Sequence, residues 1–132
     1  MGKFDSFQDI DAWKKARLFN KNIYQTTEDG KFAKDFNLTR QIRRASISVS
    51  SNIAEGFERQ AEKEFIQFLY IAKGSAGEIR SQLYLALDLE YISEGDFKRL
   101  KKDIVEVSKM IGGLIKYLKG RRLNLRIFSF NF

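Results

Sequence analysis

One run near the C-terminal end constrains this chain more than any other feature. Phe97, Leu100, Ile104, Val107, Ile111, Leu114 and Leu118 alternate spacings of three and four through three heptads. A strand would throw these side chains to opposite faces, whereas an α-helix at about 100° per residue gathers them on one. An apolar stripe of that length needs another helix against it, so the pattern is a packing signal. It begins after Ser93-Glu94-Gly95-Asp96, a capping-box pattern with Asp where Glu is the stronger partner. Gly112 and Gly113 fall inside it and weaken it by roughly 1 kcal/mol each relative to Ala.

Three further segments share the helical period. From about Phe7 to Thr27, Trp13, Ala16, Asn20, Ile23 and Thr27 form a stripe with Ile10 and Phe19 beside it. Asp9 or Asp11 suits its start, and Glu28-Asp29-Gly30-Lys31 reads as its stop. From about Asp35 to Gln60 the stripe is Leu38, Ile42, Ala45, Val49 and Ile53. From about Glu62 to Glu90 a broad face carries Phe65, Phe68, Leu69, Ala72, Ser75, Ala76, Ile79, Leu83 and Ala86. Ile71, Leu85 and Leu89 lie outside that face and give this helix a second apolar side, suited to a partner or another copy of the chain. There is no Pro to interrupt any of them. Four amphipathic helices with short connections predict an all-α fold, an antiparallel up-down four-helix bundle over residues 1–119.

Residues 120–132 read differently. Leu123, Leu125 and Ile127, then Phe128, Phe130 and Phe132, alternate with polar residues, and period 2 predicts an extended tail. Each Phe gains about 1.5–3 kcal/mol on burial, so the tail is expected to dock on its own bundle or on a neighbour, unless it frays as many termini do.

Composition then excludes most chemistry. Without Cys there are no disulfides or thiol nucleophiles, and without His the commonest acid–base group and zinc ligand are gone. A di-metal bundle site built on Glu-x-x-His pairs is therefore ruled out. Glu62 and Glu64 point to different sides of a helix, and Ser46, Ser48, Ser50 and Ser51 have no His base. Gly74-Ser75-Ala76-Gly77 lacks the strand and the Gly-Lys-Ser/Thr ending of a phosphate loop; it reads as a small-residue patch for close helix approach. The expectation is a protein that is not an enzyme and takes no cofactor and no metal. No apolar run approaches the ~20 residues of a membrane span. Met1 to Ile10 carry Asp5 and Asp9 and no apolar stretch, so no secretory signal and a cytoplasmic location are expected.

The second predicted helix carries a polar stripe. Gln41, Arg44, Ser48, Asn52 and Glu55 fall within an arc of about 80°, directly beside the apolar one, while Arg43, Ser50 and Ala54 fall roughly opposite Gln41 and Asn52. One reading is a hydrogen-bonded network between helices or subunits, with Arg44 paired to Glu55 or to Glu78 of the third helix. The other is a ligand-facing surface. Ser and Asn are poor mid-helix residues, so a tertiary role that offsets their propensity favours the network.

The same stretch carries a resemblance. Gln41-Ile42-Arg43-Arg44-Ala45, then Ser48, then Asn52-Ile53-Ala54-Glu55-Gly56-Phe57 resembles the signature of the four-helix-bundle family encoded in intervening sequences of bacterial 23S ribosomal RNA genes. The likeness continues through Phe65, Phe68, Leu69, Ala72-Lys73-Gly74-Ser75, Glu78 and Gln82-Leu83, and includes Phe7 and Ala12-Trp13-Lys14-Lys15-Ala16. It covers about residues 4–118 and leaves the Phe-rich tail outside. The resemblance implies a four-helix bundle assembling as a homopentamer. A related branch, the accessory proteins of diversity-generating retroelements, is a basic pentamer that binds nucleic acid and a reverse transcriptase. The family's older ribosomal-protein name rests on gene location and implies no place on the ribosome.

Charge points the same way. The chain has a formal net charge of +7, concentrated at its two ends and lowest in the third helix. Lys14, Lys15, Arg17 and Lys21 form one cluster, Lys98, Arg99, Lys101 and Lys102 a second, and Arg121, Arg122 and Arg126 follow. A solvated helix face explains such clusters without function. Five copies at +7 each would carry +35, a field that attracts polyanions with steep salt dependence. No stacking platform is visible in the sequence, so contact with the backbone of RNA, without sequence preference, is the expectation. The leading expectation is a non-enzymatic homo-oligomeric scaffold that binds nucleic acid. Its rival is a pure protein-interaction module whose charge only keeps it soluble.

Overall fold

The computed structural model describes residues 4–130, with side chains for residues 4–121. A 3-10 turn at Phe7–Asp9 precedes α1 (Asp11–Thr27), α2 (Gly30–Lys34), α3 (Phe36–Glu58), α4 (Glu62–Asp88) and α5 (Glu94–Phe130). The fold is all-α, and α1, α3, α4 and α5 form the bundle.

The apolar stripes explain the packing. Every stripe position on α3 is buried, as are Phe97, Leu100, Ile104, Val107, Ile111 and Leu118 on α5. Late in α5 the burial passes from Leu114, only half-buried, to Ile115. The ends are set by local chemistry. Ser6 and Asp9 close a capping box around the 3-10 turn, so α1 starts at Asp11 rather than at Phe7. Asp35 caps α3 by accepting the Leu38 N–H at 3.0 Å. Gln60 and Glu90 adopt left-handed φ of 57° and 59° where the chain reverses after α3 and α4.

The stop expected at residues 28–31 is real for α1, but the chain does not stay irregular. Gly30, at φ +67°, turns it into α2, whose Phe32 is 1% exposed and packs 5.4 Å from the Tyr91 ring. Five residues are too few to show a helical period, which hides α2 from pattern analysis. The extended tail is corrected as well: α5 runs on through Phe130. Leu123 and Ile127 are four apart, so the spacing that reads as period 2 also satisfies a helix, and no Gly or Pro follows Gly120 to stop propagation.

The small-residue patch at residues 74–77 faces its neighbours through Ser75 and Ala76 and not through its glycines. Gly74 and Gly77 are exposed, with open space where a Cβ would be. Gly56 is the tight one: a Cβ there would stand 2.7 Å from Phe68 Cβ and 3.0 Å from Phe65 Cδ1. Its missing side chain lets α3 and α4 meet.

Candidate functional site

The polar stripe on α3 divides in two. Ser48 and Asn52 are half-buried; Ser48 links helices, its Oγ 2.9 Å from Ser75 Oγ of α4, while Asn52 Nδ2 donates within α3 to the Ser48 carbonyl and hydroxyl at 2.8 and 2.9 Å. Gln41, Arg44, Glu55 and Glu78 are exposed and stay outside that link. Gln41 donates to Asn37, Glu55 pairs with Arg59 at 3.3 Å, and Glu78 accepts from Gln82. Arg44 therefore does not pair with Glu55 or Glu78. Eleven residues of helix separate Arg44 from Glu55 by about 16 Å.

The buried network lies on a different side of α3, against α1. The Asn20 amide sits between the hydroxyls of Ser46 and Ser50, both buried. Its nitrogen donates to the Ser46 carbonyl at 2.7 Å and its oxygen accepts from Ser50 Oγ at 2.9 Å, the orientation that satisfies both amide atoms. The position of Asn20 inside an apolar stripe is the signal that could have found this. One turn along, Arg43 Nε donates to Thr27 Oγ1 at 2.8 Å and its guanidinium lies 4.4 Å from the Tyr24 ring centre.

The basic residues also sort by environment. Lys15 bridges α1 to α5, 2.6 Å from Glu106 and 3.9 Å from Asp103. The hydrogen bond to Glu106 raises the Lys15 pKa and lowers that of Glu106. Lys15 thus serves the fold, and it sets α1 beside α5. Lys14, Arg17 and Lys21 lie about 100–160° round α1 from Lys15, away from that bridge. Lys14 reaches Asp11 at 3.8 Å, Arg17 lies over Trp13, and Arg99 pairs with Asp96 at 3.4 Å. Lys101 donates to the Tyr84 hydroxyl, and Arg121 pairs with Glu62 at 3.2 Å. Lys21, Lys98 and Lys102 are exposed and form no ion pair among the described residues. The side chains of Arg122 and Arg126 lie outside the described residues.

At the α2–α3 corner Asp35 accepts from Leu38 N–H and from the Tyr91 hydroxyl at 2.9 Å. The backbone N–H first, and the phenol second, hold its carboxyl below the ordinary range, while the same bond raises Tyr91. Among the described residues no cluster of acidic side chains is arranged to hold a metal ion, and no helix is long and apolar enough to cross a membrane.

Comparison with known proteins adds kinship. The model of the family described as 23S rRNA-intervening sequence protein matches residues 8–113. A crystal structure from Bacteroides thetaiotaomicron, of a protein with unknown function from the S23 ribosomal protein family, is similar in fold at a TM-score of 0.74. It is 28% identical, and the match covers 80% of this chain and 95% of that one. No curated protein matches.

Proposed function

Since the chain belongs to the 23S rRNA-intervening sequence protein family, we propose that it is a non-enzymatic homo-oligomeric scaffold, pentameric as the family resemblance implies, that binds RNA through its basic surface. The observation that carries the nucleic-acid part is the exposure of Lys21, Lys98 and Lys102, none of them in an ion pair among the described residues, on a chain of net +7. Exposed cations of this kind bind phosphates and release their counterions, which requires no base readout.

The outer face of α4 supports the assembly part. Ile71, Leu85 and Leu89 are 52%, 47% and 43% exposed on one side of α4, with Glu78 and Gln82 between them, a mixed face that a further copy would cover. The same face favours the second reading, a module that docks a different protein and binds no nucleic acid. Titration of labelled RNA across a salt series, with solution mass measured before and after nuclease, tests both. Salt-sensitive binding by a multi-subunit particle is expected. No binding at low salt removes the nucleic-acid reading, and a monomer removes the scaffold.

A further inference from the structure

An open groove of about 480 Å³ runs along the N-terminal half of α3, beside the end of α1. Its lining includes Tyr24, Phe36, Arg40, Arg43, Arg44 and Ile47. It contains three guanidinium groups and no carboxylate. Arg40 and Arg44 are exposed and form no ion pair among the described residues. Arg43 is fixed as a wall by its bond to Thr27 and its stack on Tyr24. Phe36 is 76% exposed, with no ring contact among the described residues.

We propose that this groove binds an unpaired nucleotide of a single-stranded polynucleotide, with the base stacked on Phe36 and the adjoining phosphates held by Arg40 and Arg44. The proposal deepens the nucleic-acid reading above and rests on it. A free inorganic anion would account for the arginines but leave Phe36 in water. An apolar peptide would account for Phe36 and Ile47 but bury two uncompensated cations, which is costly. A nucleotide offers a π-face with negative charge beside it, and so matches both halves of the lining. Phe36, Arg40 and Arg44 are four residues apart on one helix. They succeed one another at a rise of about 6 Å, so a strand lying along α3 meets the ring and then the two guanidiniums in turn. A duplex keeps its base faces stacked inside and has none to give Phe36.

The sequence conceals this site. Arg40, Arg43 and Arg44 fall within five residues, but that stretch reads in sequence as an interhelical network, and Tyr24 joins them only through the fold.

The test compares short fluorescein-labelled single-stranded RNA, the same strand as DNA, and an RNA duplex, by anisotropy over a salt series, with light scattering on every variant. Phe36→Ala should weaken single-strand binding about tenfold, as loss of one stacked base does, and leave duplex binding unchanged. Phe36→Tyr should restore it. Arg40→Ala with Arg44→Ala should weaken single-strand binding and make its salt slope shallower by about 1.4, the effect of two lost phosphate contacts. A loss on RNA and DNA alike assigns any single strand, and a loss on RNA alone assigns a ribonucleotide; either upholds the site. Wild-type binding that both sets of variants leave untouched overturns the site while sparing the general reading. Lys98→Glu with Lys102→Glu probes that general reading separately, and a wild type that binds no probe at low salt ends both. Altered subunit number in the groove variants, with binding intact, shows the groove to be covered by another copy and overturns the proposal.

Discussion

Replacing Gly56 by Ala tests the packing of α3 on α4 most directly. The added methyl carbon would stand 2.7 Å from Phe68 Cβ, 3.0 Å from Phe65 Cδ1 and 3.4 Å from the Phe65 carbonyl. Carbon atoms pack comfortably at about 3.5–4.0 Å, so the two helices must part locally by close to 1 Å. Phe68 Cβ is fixed to the backbone and has no rotamer by which to withdraw. Phe65 is itself held edge-on to Phe57, with ring centres 6.0 Å apart. An extra methylene forced into a packed core costs about 1–3 kcal/mol, and the backbone-fixed obstacle puts Gly56 in the upper half of that range. Ala in place of Gly favours the helix by up to about 1 kcal/mol. The net expectation is a loss of about 1–2 kcal/mol, or roughly 3–10 °C in Tm for a chain of this size. Gly113→Ala is the control: that glycine is exposed on α5 with nothing within 4 Å of the new carbon, so the propensity gain stands alone and Tm should rise. Both variants would be melted by circular dichroism at one protein concentration, since subunit association shifts Tm. The same chemical change should move Tm in opposite directions at the two positions. A Gly56→Ala protein melting at or above wild type would refute the account of the α3–α4 contact.

Other perturbations follow from the polar contacts. Asn20→Ala leaves buried polar groups of Ser46 and Ser50 without their amide partner and should lower urea-measured stability by about 1–3 kcal/mol; an unchanged midpoint would mean the amide contributes nothing. Asp35 and Glu106 have folded pKa values below their ordinary ones, so their stabilisation is present above the ordinary carboxylate range and fades as pH falls through the lowered values. Melting curves taken down an acid series should therefore show a shallower decline for Asp35→Asn with Glu106→Gln than for wild type; parallel profiles would show that neither carboxylate is linked to folding. Lys15 has a raised pKa, so its contribution is complete below the ordinary lysine value and disappears as pH rises through the raised one. Lys15→Met should accordingly lower Tm at neutral pH while leaving RNA affinity near wild type, and a large loss of affinity would return Lys15 to the binding surface.

What could be read in advance depended on how many residues carry each signal. The stripes on α3 and α5 repeat over several turns and predict burial residue by residue, with Leu114 giving way to Ile115 only near the end of the bundle. Single polar residues carry no such redundancy. The helical angle correctly puts Ser48 and Asn52 at the edge of the core, yet it does not say which neighbouring helix stands there. Ser46 and Ser50 are buried because α1 presents Asn20 to them, a fact about two helices rather than one. Glycine behaves likewise: Gly56, Gly74 and Gly77 look equivalent along the chain and differ only in what faces them. The alternation of Leu123, Leu125 and Ile127 spans too few residues to separate strand from helix, and the helix prevails by continuing one already formed.

The bare backbone at Gly56 bears on the order in which the molecule assembles. The seam it permits joins two segments separated by the short reversal at residues 59–61, so closing it sacrifices little chain entropy. Contacts between near neighbours form quickly, which makes this hairpin the natural nucleus. Amide protons along its inner edges should then be the slowest to exchange with deuterated solvent, and those of α2, a single short turn whose one buried side chain is Phe32, should exchange through local openings that leave the seam shut.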